Sequence, residues 1–166
     1  MPETIPVFVS CPSELNPGQE EARKIILYHL EQNHLEARAL GRSGYPVNLP
    51  LTEVCRIARR CFGGVILGFE QFHSNSGVEK PGTKSEKRVR EGRSFPTPWN
   101  DMEAAILYAL KKPLLIFHEP QVNSGIFEYG VVDRFTQPMP VSINDPSLGD
   151  IFEKWVAEVR QIYNAD

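Results

Sequence analysis

Apolar residues along this chain gather in short uninterrupted runs, with longer stretches of helical spacing between them. The runs at residues 63–69 and 113–118 show no alternation of polar and apolar positions, which is typical of strands covered on both faces. Five strands are predicted, at residues 4–10, 35–40, 63–69, 113–118 and 139–143.

The stretches between these runs predict helices, and two of the helices carry clear start signals. Asn16, Pro17 and Gln19 have the spacing of an N-cap, a first helical residue and a capping-box partner. Thr97 and Pro98 repeat the N-cap and the first helical position. Two further helices are predicted at residues 51–61 and 150–163.

Strands that alternate with helices indicate a parallel sheet with right-handed crossovers and helices on both faces. We therefore predict one α/β domain over residues 1–166, a flavodoxin-like three-layer sandwich with a central five-stranded parallel sheet in the order 2-1-3-4-5. Ligands of such sheets bind at the carboxyl ends of the strands. The loops after Ser10, Leu40, Gly68 and His118 are thus expected to face the site.

Composition and charge narrow the functional classes. The hydrophobic fraction of 41% fits a globular protein, and the formal net charge of −3 disfavours a general nucleic-acid partner. The apolar runs are too short for a bilayer and the start lacks a signal-peptide pattern, so we expect a cytoplasmic protein without a membrane partner. Three cysteines and four histidines lack metal-ligand spacing, so no metal site is expected.

Residues 73–95 break the pattern, because this segment has almost no apolar side chains. It lies between a central strand and the helix that begins after Thr97. Two interpretations are compatible with it: a solvated, flexible insertion, or a basic lid that closes on a phosphate-bearing ligand. The segment holds six basic and three acidic residues, Lys80, Lys84, Lys87, Arg88, Arg90 and Arg93 against Glu79, Glu86 and Glu91.

Glu103 is the residue that the predicted helix does not explain. At about 100° per residue it projects from the same sector as Trp99 and Leu107. We place it at the edge of the apolar stripe, where it should be partly desolvated, and expect Asp101 to point away and interact with the helix dipole. The stripe is predicted to consist of Met102, Ala105, Ile106, Ala109 and Leu110.

A partly desolvated carboxylate beside an aromatic ring suits a reaction that develops positive charge. Cleavage of an N-glycosidic bond is such a reaction, since the ribose passes through an oxocarbenium-like state that Glu103 can stabilise or trap. Trp99 would then stack on a base or a nicotinamide ring. A structural hydrogen bond or ion pair of Glu103 is the alternative. Glu128 is compatible with a second catalytic carboxylate or with a surface role.

The spacing Thr97-x-Trp99-x-x-x-Glu103 resembles the Ser-x-Trp-Cys-x-x-Glu pattern around the catalytic glutamate of TIR domains, with Asn100 in place of the cysteine. The segments PVFVS, GRSGYPVNLPLTEVCRIARRC and CFGGVILGF are similar to the first strand, the BB loop with its helix, and the central strand of that family. The segment MEAAILYALKKPLLIF equally resembles the glutamate-bearing segment of nucleoside 2-deoxyribosyltransferases. The resemblance covers residues 4–118 in pieces.

The resemblance implies an enzyme that cleaves the N-glycosidic bond of a nucleotide, with Glu103 as the catalytic residue. NAD would be a substrate rather than a cofactor, hydrolysed or cyclised with release of nicotinamide, and the product would fit a signal in immunity. A homo-oligomer is implied as well. Two alternatives stay open: a nucleoside 2-deoxyribosyltransferase or N-glycosidase, and a non-catalytic TIR-type interaction module. The substrate-binding residues implied are Trp99, Ser10, Arg42, Tyr45, Phe69 and Gln71, with a packing role equally open for Phe69.

Overall fold

The structure is a computed structural model that describes residues 4–39, 49–132 and 136–166. Its strands are β1 (Ile5–Ser10), β2 (Leu35–Arg38), β3 (Gly64–Gly68), β4 (Phe72–Ser74), β5 (Gly77–Glu79), β6 (Lys87–Val89), β7 (Arg93–Phe95), β8 (Leu114–His118) and β9 (Thr136–Pro138). Its helices are α1 (Pro17–Gln32), α2 (Pro50–Arg59), α3 (Pro98–Ala109), α4 (Pro146–Tyr163) and a 3-10 helix at Gly125–Phe127.

The central sheet has five parallel strands in the order β2-β1-β3-β8-β9. This arrangement confirms the predicted flavodoxin-like α/β fold and its strand order. Ser10 pairs with Ile66, and Gly68 pairs with His118, so the ends of β1, β3 and β8 lie at one edge of the sheet. None of the helices in the described ranges is long and apolar enough to cross a bilayer.

The predicted fifth strand at residues 139–143 is wrong, because the last strand is Thr136–Pro138. This edge strand pairs with β8 but buries no apolar side chain, so it leaves no hydrophobic run in the sequence. Met139 follows it, with its N–H donating to the carbonyl oxygen of His118 at 3.1 Å.

Alternate residues of the strands pack into two separate hydrophobic cores, one on each face of the sheet. On one face Phe117 packs with α1 and with Phe152 and Trp155 of α4. On the other face Phe8 packs against α2 and α3, whose Leu107 is fully buried. The molecule therefore has the three layers predicted for it.

Side-chain caps fix the starts of α1 and α3, as predicted. Asn16 Oδ1 accepts from the Gln19 N–H at 2.9 Å, and Gln19 Oε1 accepts from the Asn16 N–H at 3.1 Å. Thr97 Oγ1 accepts from the Trp99 N–H at 3.3 Å. Because α3 starts at Pro98, its first turns lie close to the end of β1, and this placement builds the site described below.

Residues 72–95 form a basic arm rather than an irregular loop. Strand β4 pairs with β7 and strand β5 with β6, both antiparallel, so the arm is two short ribbons in succession. Arg93 Nη1 lies 2.5 Å from Glu79 Oε1 and joins the two ribbons. Strands of three residues on an exposed ribbon have no apolar face, which explains why the sequence shows only the charge of this segment.

Candidate active site

Three polar side chains meet where the first turns of α3 cross the end of β1. Glu103 is 8% exposed, Ser10 is 1% exposed and Asn100 is fully buried. Ser10 alternates with Phe8 on the face of the sheet that α3 covers, while Asn100 and Glu103 lie one helical turn apart on the buried face of α3. The site therefore joins the carboxyl edge of the sheet to a helix face.

A chain of hydrogen bonds runs through this polar group. Asn100 Nδ2 donates to Ser10 Oγ at 2.8 Å, and the Ser10 hydroxyl is hydrogen-bonded to the Glu103 carboxyl group. Since Ser10 Oγ accepts from Asn100, its own proton is available for Glu103. Asn100 thus orients the hydroxyl that contacts the carboxylate.

Burial raises the pKa of Glu103 from its ordinary value of 4.5 to about 7, and the hydrogen bond from Ser10 acts in the opposite direction. Burial has this effect because it disfavours the charged form of a carboxyl group. At neutral pH the group divides between its protonated and ionised forms. A carboxyl group poised in this way can exchange a proton or stabilise a cation.

Asn100 Oδ1 is buried and has no hydrogen-bond partner among the residues that the structure describes. Leaving such a carbonyl unpaired costs about 1–3 kcal/mol. Because Asn100 Nδ2 is already engaged by Ser10, Oδ1 is the atom that remains to accept from a ligand hydroxyl or N–H. In the sequence Asn100 is notable only as a replacement for the cysteine of the TIR pattern, and this role is not evident there.

The predicted apolar stripe of α3 is wrong by a rotation of the helix. The buried residues are Asn100, Glu103, Ala104 and Leu107. Two of these four are polar, so counting apolar positions alone turns the predicted face away from the sheet. Glu103 consequently lies within the buried face and not at its edge. The stripe residues found exposed instead are Met102, Ala105 and Ala109.

Asp101 also has a role other than the predicted interaction with the helix dipole. Its Oδ1 accepts from the Ile126 N–H at 2.8 Å. Gly125, at a φ of 61°, lies so close to Asp101 that a β-carbon there would collide with the carboxylate. Asp101 therefore anchors the 3-10 helix to α3.

The other predicted site residues divide into three groups. Trp99 is half-buried and packs against the core formed by α2 and α3, next to the Glu103 face. Arg42 and Tyr45 lie outside the described residues. Phe69 is fully buried among the residues that pack with α1 and α4, on the opposite face of the sheet from Glu103. For Phe69 the structure shows the packing role.

Gln71 and Glu128 are exposed and lie away from the carboxylate site. Gln71 Nε2 donates to the carbonyl oxygen of Glu14 at 3.2 Å, so it ties the start of the arm to the loop after β1. Glu128 Oε1 accepts from the Gly125 N–H at 3.3 Å, which is a local turn contact. The surface role predicted as one option for Glu128 is what the structure shows.

A second polar cluster holds the base of the arm. The Ser94 hydroxyl donates to Glu70 Oε2, and His73 Nδ1 lies 3.2 Å from Ser94 Oγ and 3.4 Å from Glu70 Oε2. The pKa of Glu70 is lowered, chiefly by the Ser94 hydrogen bond. Ser94 Oγ and Glu70 Oε2 both approach the same ring nitrogen of His73, so the cluster lacks the relay order of a hydrolase triad.

No group of three or more His, Cys, Asp or Glu side chains within residues 4–39, 49–132 and 136–166 could hold a metal ion. No family model matches this chain, and a search of curated proteins finds no match either. The functional argument therefore depends on the geometry and chemistry of the site itself.

Proposed function

We propose that this protein cleaves the N-glycosidic bond of a nucleotide, with NAD as the first substrate and Glu103 as the catalytic carboxylate. One observation carries the proposal: a carboxyl group with a pKa of about 7 lies at the ligand edge of the sheet, hydrogen-bonded to Ser10. A buried carboxyl group with a shifted pKa at the ligand edge of such a fold is a candidate catalytic group.

The reaction follows from what an ionised carboxylate does for a ribosyl cation. As the bond from C1′ of ribose to the base nitrogen breaks, its electron pair leaves with the base, and C1′ becomes positive. Glu103 stabilises this charge or forms an ester bond to C1′. Water then adds to C1′, the ester bond to Glu103 breaks, and the proton of the water passes to solvent.

Ser10 and Asn100 support the carboxylate in distinct ways. The Ser10 hydroxyl favours the ionised form of Glu103, because hydrogen bonding to a carboxylate lowers its pKa. Asn100 holds that hydroxyl in place at 2.8 Å. The remaining Asn100 Oδ1 is suited to accept from a ribose hydroxyl, which would satisfy its missing hydrogen bond.

We place NAD ahead of a neutral deoxynucleoside as the proposed substrate. The nicotinamide ring of NAD is already positively charged, so it leaves as a neutral base without a proton donor. A neutral purine or pyrimidine leaves more readily when an acid protonates it. Two other acidic residues considered for such a role are engaged elsewhere, Asp101 with the Ile126 N–H and Glu128 with the Gly125 N–H. Deoxynucleosides, the substrates of deoxyribosyl transfer, are therefore proposed second.

A non-catalytic interaction module is the second functional class, and one observation favours it. Leu49 and Leu51, at the start of α2, expose their apolar side chains to solvent. They belong to the segment that resembles the BB loop and its helix. Exposed apolar residues of this kind support self-association, which a catalytic TIR-like protein would also use to complete its site.

The test compares wild type, Glu103→Gln and Glu128→Gln, each dilute and concentrated, with NAD and with a panel of deoxynucleosides. Free base is separated by liquid chromatography. We expect base release from NAD by the wild type and by Glu128→Gln, which removes the same charge outside the site, and none by Glu103→Gln. If all three proteins release no base at either concentration, the interaction module becomes the better assignment.

A further inference from the structure

The basic arm and the loop after β8 enclose a cavity of about 780 Å³. This size lies within the range of small-molecule sites. One wall comes from the arm and the other from the segment that leads into the 3-10 helix. The polar and charged side chains that line it are Lys87, Arg88, Arg90, Glu91, Arg93, Ser94, Gln121, Asn123, Ser124 and Glu128.

The lining of this cavity is positively charged, whereas the chain as a whole is negatively charged. The whole protein carries a formal net charge of −3, yet the lining has four basic residues and two acidic ones. Arg93 is paired with Glu79. Lys87, Arg88 and Arg90 have no ion pair with any residue in the described part of the chain. Their charges are available to a ligand.

Both walls are anchored to the core, so the cavity does not depend on a ligand for its shape. On the arm side Ser94 is buried, hydrogen-bonded to Glu70 and paired in a β-bridge with Val122. On the other side the carbonyl oxygen of Val122 lies 2.7 Å from His118 Nδ1, and Asp101 accepts from the N–H that follows Gly125. A preformed site binds without the cost of ordering its walls.

We propose that this cavity binds the phosphate groups of a small phosphorylated ligand, of the diphosphate class. Guanidinium and ammonium groups supply the charge, and Arg presents its N–H groups in a fork that matches phosphate oxygens. Asn123, Gln121 and Ser124 add neutral donors from the opposite wall. Two facing walls of donors suit a compact anion rather than an extended strand of nucleic acid, which needs a continuous basic groove.

This cavity is distinct from the Glu103 site, because its lining includes no residue of α3 and does not include Ser10. Asn100 and Glu103 face β1, whereas Asp101 faces the 3-10 helix that borders the cavity. The proposal therefore goes beyond N-glycosidic cleavage and does not depend on it. It also differs from a lid that closes over the catalytic carboxylate.

The experiment is calorimetric titration of the full chain with pyrophosphate and with ADP at about 0.15 M salt, where long-range attraction is screened. Arg88→Glu/Arg90→Glu reverses two charges that line the cavity. Lys80→Glu/Lys84→Glu makes the same change of charge on the same arm, outside the lining. Asn123→Asp places one negative charge on the opposite wall, and Glu103→Gln alters only the carboxylate site.

We expect the wild type to bind both probes, and the Arg88/Arg90 variant to bind them at least about tenfold more weakly, since two charge-assisted contacts are lost. Asn123→Asp should weaken binding in the same direction. The Lys80/Lys84 variant and Glu103→Gln should stay within about twofold of wild type. Circular dichroism of each variant confirms that it is folded.

Three results would overturn the proposal. One is the absence of binding of either probe to the wild type at millimolar concentration. Another is an equal loss in the two double variants, which would show nonspecific attraction to the arm. The third is tighter binding of a single-stranded oligonucleotide than of pyrophosphate. The proposal predicts that Glu103→Gln binds pyrophosphate and ADP as the wild type does. Failure of the NAD cleavage assay would therefore not count against phosphate binding in the cavity.

Discussion

Glu103 and Glu70 both lie near the carboxyl edge of the central sheet, yet their surroundings move their pKa values in opposite directions. Glu103 is buried, and burial raises its pKa to about 7. Glu70 lies partly exposed at the base of the arm, where the Ser94 hydroxyl and then His73 lower its pKa. The two carboxylates differ in what dominates their pKa values, which is burial for Glu103 and the hydrogen bond from Ser94 for Glu70.

The contrast separates two uses of charge in this molecule. Under α3 a single carboxylate is buried away from water, so a change of charge there has a large energetic effect. Along the arm many charges lie in water, where each contributes little to stability and remains available to a partner. Chemistry is therefore expected at Glu103 and anion binding at the arm.

The largest expected effect is on turnover. Replacing Glu103 with Gln keeps the shape of the side chain but removes the charge that we propose stabilises the ribosyl cation, so NAD cleavage should fall by about a thousandfold or more. Glu70→Gln keeps a hydrogen-bonding group beside Ser94 and should leave kcat/KM within about threefold of wild type. Initial rates of nicotinamide release measure both.

Equal losses in these two variants would break the comparison, because they would place Glu70 and Glu103 in one functional unit. Turnover by Glu103→Gln at the wild-type rate would remove the carboxylate from the mechanism.

The next effect is on stability as a function of pH. The folded pKa of Glu103 is raised from 4.5 to about 7, so its stabilising contribution is complete below 4.5 and is lost as the pH rises through about 7. The loss amounts to about 3 kcal/mol at alkaline pH. Glu103→Gln should abolish this loss and be more stable than wild type above pH 7, as denaturant unfolding at several pH values will show.

Glu70 provides the opposite sign for the same experiment. Its folded pKa is lowered, so its contribution is present above 4.5 and is lost as the pH falls through the folded pKa. Glu70→Gln should therefore lower stability by a constant amount above pH 5, without changing the slope there, and should flatten the acid limb of the stability curve. A loss of the alkaline limb in Glu70→Gln would contradict this assignment.

A smaller effect is expected on the pH dependence of activity. If Glu103 acts as a carboxylate, NAD cleavage should rise with pH to a plateau, with its midpoint near 7. Ser10→Ala removes the hydrogen bond that lowers the pKa and should move the midpoint upward by about one unit, since a hydrogen bond to a charged group is worth about 1.5 kcal/mol. A midpoint that stays in place in Ser10→Ala would show that another group controls the profile.

The hydrophobic pattern predicts the central strands, because buried parallel strands such as β3 and β8 leave uninterrupted apolar runs. The strand order followed from the flavodoxin-like fold that alternating strands and helices indicate. The caps of α1 and α3 are equally legible, since they depend on residues that are close in sequence. Strand β9 and the ribbons of the arm could not be predicted from the sequence, because short exposed strands do not show a recognisable period of apolar residues.

The candidate site was only partly predictable for a related reason. Glu103 stood out as a charge among apolar helix positions, and Ser10 followed from its place at the end of a strand. Asn100 was not predicted, because polar residues usually mark the exposed face of a helix, whereas Asn100 lies on the buried face of α3. Its spacing of three residues from Glu103 was the available signal, since residues so spaced are neighbours on one face.

The smallest expected effect concerns the ion pair between Glu79 and Arg93 on the exposed arm, in which Arg93 Nη1 lies 2.5 Å from Glu79 Oε1. Glu79→Gln should lower the free energy of unfolding by no more than about 0.5 kcal/mol, because water screens exposed pairs. It also frees Arg93 toward the cavity, so pyrophosphate affinity should stay equal or rise. Paired denaturation and titration experiments measure both quantities, and a loss of stability above about 2 kcal/mol would mean that the arm's charges hold the fold together rather than serve a ligand.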